Sequence, residues 1–301
     1  MAHRAPARVT DESRRPHPVL AYIVSAYKNL DQLVRLVDRL TTGSSVVHVH
    51  VDRKTDDGEY GRLEASLAGR GDVQLLERHL CHWGGFGHVE ATLKGIDALL
   101  GSGADFGHVV LLTGQDYPIK PLGEIERFFA ERPDTSFMAY SRLPNEWWTD
   151  GGVDRIRYRH WRWRGRHARL PWPRRFPPGL TPYGGGAYWN LSRRAVEHVA
   201  RFLERRPDVA RFFRGVDIPD EIIFQTVLMS SPLADSVVND NLRYIDWSRG
   251  SRPALLEARD LPALRDSPKL FARKFDVFHD ADVLDLVDRE LLREPARSTE
   301  L

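Results

Sequence analysis

The chain has 301 residues, of which 42% are hydrophobic and 29% are charged, and its formal net charge is +2 at pH 7. These values are ordinary for a soluble globular protein, and no apolar run approaches the roughly 20 residues that a membrane-spanning helix needs. Cys81 is the only cysteine, which excludes an intrachain disulfide and favours a reducing, cytoplasmic location.

The first half of the chain predicts strands that alternate with helices. Residues 1–17 are polar and lack the apolar core of a signal peptide, so we expect a flexible N-terminal tail. Apolar runs and helical spacing then predict, in chain order, a strand at 19–25, a helix at 30–40, strands at 45–52 and 73–76, a helix at 88–100, a strand at 107–113, a helix at 122–131 and a strand at 136–140. Such alternation is typical of an α/β fold with a mostly parallel central sheet flanked by helices.

The second half of the chain is less regular. Residues 147–181 are rich in Pro, Gly, Trp and Arg, which indicates a long ordered excursion rather than a linker. Ser192 is a good N-cap for a following helix, and another helix is expected to begin near Pro219. Because no internal boundary stands out, we predict a single catalytic domain over 18–287, with a C-terminal tail at 288–301.

The excursion carries an uneven distribution of charge. No Asp or Glu occurs from Arg155 to Val196, and nine arginines crowd its first part, interleaved with Trp161, Trp163 and Trp172. Such a patch attracts phosphorylated substrates, an acidic membrane surface or nucleic acid. The chain has only six lysines among its 44 basic residues, so a general preference for arginine explains the patch equally well.

Polar side chains follow three of the predicted strands. Ser25 and Tyr27 end the first strand, Asp52 ends the second, and Gln115 and Asp116 follow the central one. In open α/β sheets, ligands bind just beyond the carboxyl ends of the strands. A carboxylate there accepts hydrogen bonds from ribose hydroxyls or holds a metal, whereas a capped surface turn is the alternative.

Three further segments suggest chemistry. Trp83 is followed by two glycines, a combination suited to close approach to a ring, although glycine-rich turns are common. Asp220 and Glu221 stand at a helix start, where a carboxylate serves either as a general base or only to stabilise the helix dipole. Lys274 lies between apolar anchors and can stabilise a diphosphate leaving group, unless 270–276 is only an amphipathic surface helix.

The histidines and the cysteine do not have the spacing of a metal site. His79, Cys81, His82 and His88 are close in sequence, but no thiolate pair and no His-x-x-x-His pattern is present. We therefore expect no bound metal.

Taken in order, six segments resemble the Core-2/I-branching enzyme family, which contains β-1,6-N-acetylglucosaminyltransferases and peptide O-xylosyltransferases. The segments are 49–54, 83–85, 112–119, 185–193, 219–221 and 270–276. The resemblance covers roughly residues 18–285. It implies a GT-A-like nucleotide-sugar transferase fold, a UDP-sugar as co-substrate, inversion of the anomeric centre and no metal or other cofactor.

The resemblance also implies roles for individual residues. Glu221 matches the catalytic base, and Lys274 matches the residue that contacts the donor diphosphate, aided by an arginine for which Arg252 is the best match and Arg249 the next. The remaining expected donor-binding residues are Ser25, Tyr27, Asp52, Trp83, Gln115 and Asp116. The expected acceptor-binding residues are Gly186, Tyr188, Trp189 and Asp220, with Trp189 or Tyr188 as a platform for the acceptor sugar.

From this resemblance we predict a metal-independent inverting transferase of N-acetylglucosamine, with UDP-xylose as the alternative donor. Animal members carry a membrane anchor and disulfides that this sequence lacks, so we expect a soluble bacterial-type member. Its expected acceptor is a glycan, glycolipid or glycoside, and its expected location is the cytoplasm, with peripheral contact at the anionic inner face of the membrane. A polyanion-binding or nucleic-acid-binding protein with an inactive transferase fold is the more distant alternative, and we expect no nucleic-acid partner.

Overall fold

A computed structural model describes residues 19–41, 45–163, 166–250 and 252–293. Within these ranges the strands are β1 Val19–Ala26, β2 Val46–Val51, β3 Val73–Leu75, β4 Phe106–Thr113, β5 Asp116–Pro118, β6 Ser136–Met138, β7 Ser141–Arg142, β8 His160–Trp163, β9 Arg166–Arg169, β10 Tyr183–Gly184, β11 Trp189–Ser192, β12 Val237–Val238, β13 Arg243–Ile245 and β14 Phe271–Arg273. The predicted tail at 1–17 lies outside the described residues, as does 294–301 of the predicted C-terminal tail.

The α-helices of the same ranges are α1 Leu30–Leu40, α2 Asp57–Leu67, α3 Gly87–Gly101, α4 Leu122–Ala130, α5 Val153–Arg157, α6 Arg193–Arg205, α7 Pro207–Phe213, α8 Ile223–Met229, α9 Leu261–Asp266 and α10 Val283–Glu290. Ser192 caps α6 as predicted, because its side chain accepts a hydrogen bond from the Ala195 N–H. Helix α10 continues to Glu290, past the predicted domain end at residue 287.

Seven strands form the central sheet in the order β12-β6-β11-β4-β1-β2-β3. The strands β4, β1, β2 and β3 run parallel, and β12 runs parallel to β6, whereas β11 is antiparallel to both β4 and β6. The predicted α/β fold with a mostly parallel sheet is therefore confirmed, and the arrangement is consistent with a GT-A-like fold.

Two apolar cores cover the two faces of this sheet. Strand β1 shows why, because successive side chains of a strand point to opposite faces. Leu20, Tyr22 and Val24 of β1 pack into the core that α1, α2, α4, α9 and α10 complete. Ala21 and Ile23 pack into the other core, which is built with α3, α6, α7 and α8. A central strand buried on both faces reads as an unbroken apolar run, which is what the sequence has at 19–24.

A second, smaller sheet has the order β13-β14-β5. Strand β14 pairs antiparallel with β5 and parallel with β13, and all three of its residues are buried. The alternative that 270–276 is an amphipathic surface helix is therefore wrong, because residues 271–273 form a buried strand and 274–276 continue from it without a helix. Its pairing with β5 brings 271–276 next to the turn that follows β4.

The arginine-rich excursion is ordered where the structure describes it. It contains a 3-10 turn at Thr149–Gly152, helix α5 and the antiparallel hairpin β8–β9. Arg174 holds the excursion to the body, since its guanidinium donates hydrogen bonds to the carbonyls of Tyr158, Phe212 and Gly215. Burial, together with Arg159, lowers the pKa of Arg174 to about 10. Among all described residues, no helix has both the length and the apolar character to cross a bilayer.

Candidate active site

The carboxyl ends of β1, β2 and β4 meet at one edge of the central sheet. Ser25 is in register with His50 of β2 and with Thr113 of β4. The backbone N–H groups of Asp52 and Gly114 donate to the carbonyls of Ala26 and Ser25, at 2.8 Å and 3.0 Å. The three strand ends that the sequence singled out therefore do lie side by side. Because β11 is antiparallel, its first residues lie at the same edge.

Asp52 is buried at this edge, with 4% of its surface exposed. One carboxylate oxygen accepts a hydrogen bond from the Lys54 N–H at 3.0 Å, and the other lies 3.3 Å from the Lys54 ammonium group. Tyr27, by contrast, is 55% exposed, and its carbonyl accepts a hydrogen bond from the Thr55 hydroxyl. Tyr27 thus offers a ring at the rim, while Asp52 is a fixed carboxylate at the floor.

Asp116 and Gln115 are engaged inside the protein. Asp116 is fully buried, and one of its oxygens accepts a hydrogen bond from the Thr113 N–H at 2.7 Å and lies 3.5 Å from the Arg273 guanidinium. The Gln115 amide donates to the Phe275 carbonyl at 3.2 Å. The Asp116 carboxylate has no exposed surface, so the expectation that it contacts the donor is wrong. Both residues instead hold the strand-end turn against the β14 segment.

Lys274 lies at the centre of a group of cations. The Phe275 N–H donates to the Gln115 carbonyl and the Leu256 N–H donates to the Lys274 carbonyl, so the backbone on each side of Lys274 is fixed. Burial, followed by the charges of Arg273, Lys28 and Arg252, lowers the pKa of Lys274.

Two carboxylates lie close to these four cations, and both are already paired. Asp276 pairs with Lys28 at 2.5 Å, and Asp116 lies 3.5 Å from Arg273. Lys274 and Arg252 therefore leave the cluster with excess positive charge. A cluster that retains excess positive charge and mutual repulsion is stabilised by an anion. Lys28, which directly follows Tyr27, was not among the residues singled out from the sequence, although its place after a strand end was a usable signal.

The two candidate arginines differ in their surroundings. Arg249 lies 3.0 Å from Asp260, 3.5 Å from Asp246 and 3.8 Å from Glu257, so carboxylates already neutralise its charge. Arg252 is exposed, and its charge acts on Lys274. The geometry therefore favours Arg252, in agreement with the order of preference drawn from the sequence.

Glu221 ends a short 3-10 turn, Pro219–Glu221, and α8 begins at Ile223. The carboxylates therefore lie just before α8 rather than in its first turn. The Glu221 side chain is 29% exposed, and it accepts a hydrogen bond from Arg155 at 2.7 Å. Burial, followed by the neighbouring Asp220, raises the pKa of Glu221 to about 7, although Arg155 opposes the shift. Such a carboxylate is suited to proton transfer near neutral pH.

Two neighbouring side chains, Asp220 and Arg155, influence the protonation state of Glu221. Burial raises the pKa of Asp220 to about 6, and its Oδ1 is buried without a hydrogen-bond partner among the described residues. Arg155 is placed by Trp148, whose ring centroid lies 3.8 Å from the guanidinium carbon. Arg155 opens the arginine run, but its sequence context gave no sign that it, rather than the other eight, would contact the base.

The segment 185–188 joins Glu221 to the cation cluster. The Gly185 N–H donates to the Glu221 carbonyl at 2.9 Å, and the Gly186 carbonyl accepts from the Gln225 amide at 2.7 Å. At its other end the ring of Tyr188 lies 4.1 Å from the guanidinium carbon of Arg273. The proposed base and the proposed phosphate-binding group thus flank one continuous loop at the sheet edge.

Trp189 does not line this site. It is fully buried and packs against Phe224, with ring centroids 5.4 Å apart. Its expected role as a platform for an acceptor sugar is wrong, because no face of the indole is free. Tyr188, one residue earlier, is half-buried and remains the candidate.

Trp83 lies on the Glu221 side of the site. Its side chain is 70% exposed, and the guanidinium carbon of Arg162 lies 4.6 Å from its ring centroid. The neighbouring Gly84 carbonyl accepts a hydrogen bond from the Ile218 N–H, three residues before Glu221. Arg162 in turn pairs with Asp217 at 2.6 Å. The exposed indole therefore lies where the arginine-rich hairpin meets the Pro219–Glu221 turn.

One cluster that the sequence spacing did not reveal is formed by His50, His79 and Cys81. A potential ligand atom from each lies within 4.8 Å of the other two. The residues come from β2 and from the loop between β3 and α3, so their proximity depends on the parallel pairing of β2 with β3. Pattern searches along a chain cannot find such a set.

Comparisons with known proteins agree with this geometry. A family model described as Core-2/I-Branching enzyme matches residues 20–263. Relatives include proteins named xylosyltransferase 2 from Canis lupus familiaris and Homo sapiens, at 27% and 25% identity over 93% of this chain and 35% of each relative. A protein named xylosyltransferase from Ciona intestinalis is 23% identical with the same coverage. The chain thus spans about a third of the length of the curated relatives it matches.

Among solved structures, HddC from Yersinia pseudotuberculosis matches with a TM-score of 0.30 and 12% identity, over 60% of this chain and 79% of that one. A similarity this low supports no argument about the site.

Proposed function

We propose that this chain, which belongs to the Core-2/I-branching enzyme family, is an inverting glycosyltransferase that uses a UDP-sugar. The proposal rests on one observation: a carboxylate and a cluster of cations lie at the same edge of the sheet. Glu221 is a carboxylate with a pKa raised to about 7 by burial, and the Lys274 cluster holds excess positive charge. Sugar transfer requires a base for the acceptor and a cation for the leaving nucleotide.

In the proposed reaction, Glu221 takes the proton from an acceptor hydroxyl. The acceptor oxygen forms the new bond to the anomeric carbon from the face opposite UDP, and the departing diphosphate oxygen takes the electron pair of the broken bond. The configuration at that carbon is inverted because a single displacement occurs. The hydrogen bond from Arg155 stabilises the ionised form of Glu221, so that a substantial fraction of the molecules carries a carboxylate that can accept a proton at neutral pH.

The second part of the proposal is that side chains, rather than a divalent metal, stabilise the departing diphosphate. Lys274, Arg252, Arg273 and Lys28 supply charge at one place, and an anion would relieve their repulsion. The one carboxylate at the β4 turn, Asp116, already contacts Thr113 and Arg273. These contacts support a metal-independent transfer step, for which we propose no other cofactor.

For the donor side we propose that Asp52, Ser25 and Tyr27 contact the nucleoside, since they occupy adjacent strand ends. The sugar itself is either xylose or N-acetylglucosamine. The names of the relatives favour UDP-xylose as the first donor to test, and UDP-N-acetylglucosamine, which the family resemblance suggested first, is the second.

For the acceptor side we propose a glycan, glycolipid or glycoside bound near Tyr188, Gly186 and Asp220. The arginine-rich excursion borders this region, and Trp161 and Trp172 are 59% and 70% exposed there. Exposed indoles beside arginines suit the interface of an anionic membrane, so we propose peripheral contact with such a surface.

A nucleic-acid-binding protein with an inactive fold is less well supported. Several arginines of the excursion are used internally, since Arg155 pairs with Glu221, Arg162 with Asp217 and Arg169 with Asp154. This leaves less free charge for a polyanion than the sequence alone implies.

The test is a screen of UDP-sugars, with UDP release measured for the wild type and for Glu221→Gln. We expect release with UDP-xylose or UDP-N-acetylglucosamine, and a loss of about 100-fold or more in kcat for E221Q at unchanged UDP affinity. Adding Mn²⁺ to chelator-treated enzyme should raise turnover less than twofold. Glu146→Gln, at an exposed glutamate, is the matched control.

Two results would overturn this proposal. If no UDP-sugar is bound or hydrolysed, the transferase function is wrong. If E221Q retains full activity, the base is another residue. A strong requirement for Mn²⁺ would refute only the metal-independent part.

A further inference from the structure

The cluster of His50, His79 and Cys81 lies beneath the donor side of the proposed site and takes no part in the proposed chemistry. His50 is fully buried, Cys81 is 3% exposed and His79 is partly buried. The N–H of Arg53, directly after Asp52, donates to the His79 carbonyl, and the Lys54 ammonium donates to the Cys81 carbonyl at 2.7 Å. The loop that carries His79 and Cys81 is thereby tied to the end of β2.

The hydrogen bonds of the cluster are incomplete. His50 Nδ1 and His79 Nδ1 are buried and have no hydrogen-bond partner among the described residues. Buried polar atoms without partners are uncommon and costly, so each calls for an explanation. The three residues each bring a potential ligand atom within 4.8 Å of the others, and a cation bound among them would give these incomplete hydrogen-bonding groups a partner.

The tautomer of His79 is set for metal binding. Its Nε2 lies 2.9 Å from the Gly87 carbonyl, which can only accept, so Nε2 carries the proton. The lone pair is therefore on Nδ1, the unpartnered atom. Metal-binding histidines characteristically donate their other ring N–H to a backbone carbonyl or a carboxylate in this way.

The protonation states of the other two residues are compatible with a divalent cation. Burial lowers the pKa of His50 to about 4, so this imidazole is neutral at pH 7. Its Nε2 holds the lone pair and accepts a long hydrogen bond from the His79 N–H, at 3.3 Å, which a bound cation would replace. Burial, followed by the charge of Asp52, raises the pKa of the Cys81 thiol to about 12. The thiol is thus protonated without a metal, and a bound cation would displace its proton. The Asp52 carboxylate adds negative charge close by, partly offset by Lys54.

We propose that His50, His79 and Cys81 form a zinc site that fastens the β3–α3 loop to the end of β2. Two imidazoles and one thiolate are the ligand types that Zn²⁺ prefers, with a water in the fourth position. Zinc holds such ligand atoms roughly 3.3–3.7 Å apart, so movements of about 1 Å would close the present cluster onto the ion. The site is structural, and it does not depend on the proposed transfer reaction.

The second group of this kind, His160, His167 and Asp217, is less suited to a metal. His160 Nδ1 and His167 Nε2 already share a hydrogen bond at 2.9 Å, and Arg162 occupies the Asp217 carboxylate at 2.6 Å. A cation there would have to displace a guanidinium.

The experiment is a titration of chelator-treated, full-length protein with Co²⁺ and then Zn²⁺. We expect one equivalent of Co²⁺ to produce a thiolate-to-cobalt charge-transfer band, which Zn²⁺ removes. His79→Asn should weaken Co²⁺ affinity at least tenfold and Cys81→Ser should abolish the band. His82→Asn, in the same loop but outside the cluster, should bind as the wild type does. Absence of the band, its survival in C81S, or unchanged affinity in H79N would overturn the proposal.

A second measurement needs no cysteine variant. Because Cys81 is the only cysteine, the rate of thiol alkylation reports on this residue alone. One equivalent of Zn²⁺ should slow alkylation of the wild type at least tenfold. An unchanged rate would refute the site even if the variants fail to fold, and it would leave the transferase proposal untouched.

Discussion

At the scale of single residues, Glu221 is under two opposing influences. Burial and Asp220 favour its protonated form, and the hydrogen bond from Arg155 favours the carboxylate. A base acts only when it is ionised, so kcat/KM should rise with pH through about 7 and level off above it. The residue that sets the position of this rise is Arg155.

We predict that Arg155→Gln moves the acid limb of the kcat/KM profile to higher pH by at least half a pH unit. Removing the cation removes an interaction that lowers the pKa of Glu221, so the carboxyl group stays protonated to higher pH. The measurement is a pH–rate profile with the best donor. Arg157→Gln, an exposed arginine in the same helix, should leave the profile in place. A downward shift in R155Q would contradict the assigned role.

The sequence predicted which segments meet at the sheet edge better than it predicted which of their side chains are accessible there. Glu221 and Lys274 were singled out from local motifs. In the structure Glu221 contacts one end of the 185–188 loop, and Arg273, next to Lys274, contacts the other end. Trp189 and Asp116 were misjudged because burial is a property of the assembled fold. All four residues of β11 are buried, so alternation could not show which side chain faces a ligand.

At the scale of elements, the 185–188 loop is held by close contact. A Cβ on Gly185 would lie 1.9 Å from the Ala139 carbonyl oxygen, a distance that no packing tolerates. The same residue donates to the Glu221 carbonyl, so its position bears on the base as well as on stability.

We predict that Gly185→Ala lowers the free energy of unfolding by about 3 kcal/mol, since the backbone must move to remove the overlap. Gly61→Ala, inside α2 with no atom within 4 Å of the added Cβ, should instead raise it by about 0.5–1 kcal/mol. Chemical denaturation measures both changes. Equal effects of the two substitutions would contradict the described packing.

The elements that the sequence predicted are those with local signals. Most of the alternating strands and helices of the first half follow from apolar runs and helical periodicity. Helix α2 was missed, because only Leu63 and Leu67 of its eleven residues are buried. The three-stranded sheet was missed, because β5 and β14 are short and pair across about half of the chain. The hairpin β8–β9 was also missed. Strand β8 does alternate polar and apolar residues, but β9 is polar except for Ala168, and the arginines and tryptophans were interpreted as a basic patch rather than as a strand.

At the scale of the whole molecule, the arginine-rich excursion gives the surface one strongly basic region next to the proposed acceptor site. Only part of its charge is free, because ion pairs with Glu221, Asp217 and Asp154 use three arginines. A surface of this kind should associate weakly and electrostatically with anionic lipid.

We predict that the protein co-sediments with vesicles that contain phosphatidylglycerol and much less with phosphatidylcholine vesicles. Binding should fall steeply between low and physiological salt, since the Debye length shortens from about 30 Å at 0.01 M to about 8 Å at 0.15 M. Equal binding to both lipids, or binding that salt does not change, would contradict an electrostatic contact.

In the proposed mechanism side-chain cations hold the nucleotide diphosphate, and calorimetric titration of UDP tests this most directly. We predict that Lys274→Ala weakens the Kd for UDP about tenfold, equivalent to roughly 1.4 kcal/mol. Lys269→Ala, at a lysine paired with Asp240 at 2.7 Å, is the control and should leave the Kd unchanged. A K274A protein that binds UDP as tightly as the wild type would contradict the account.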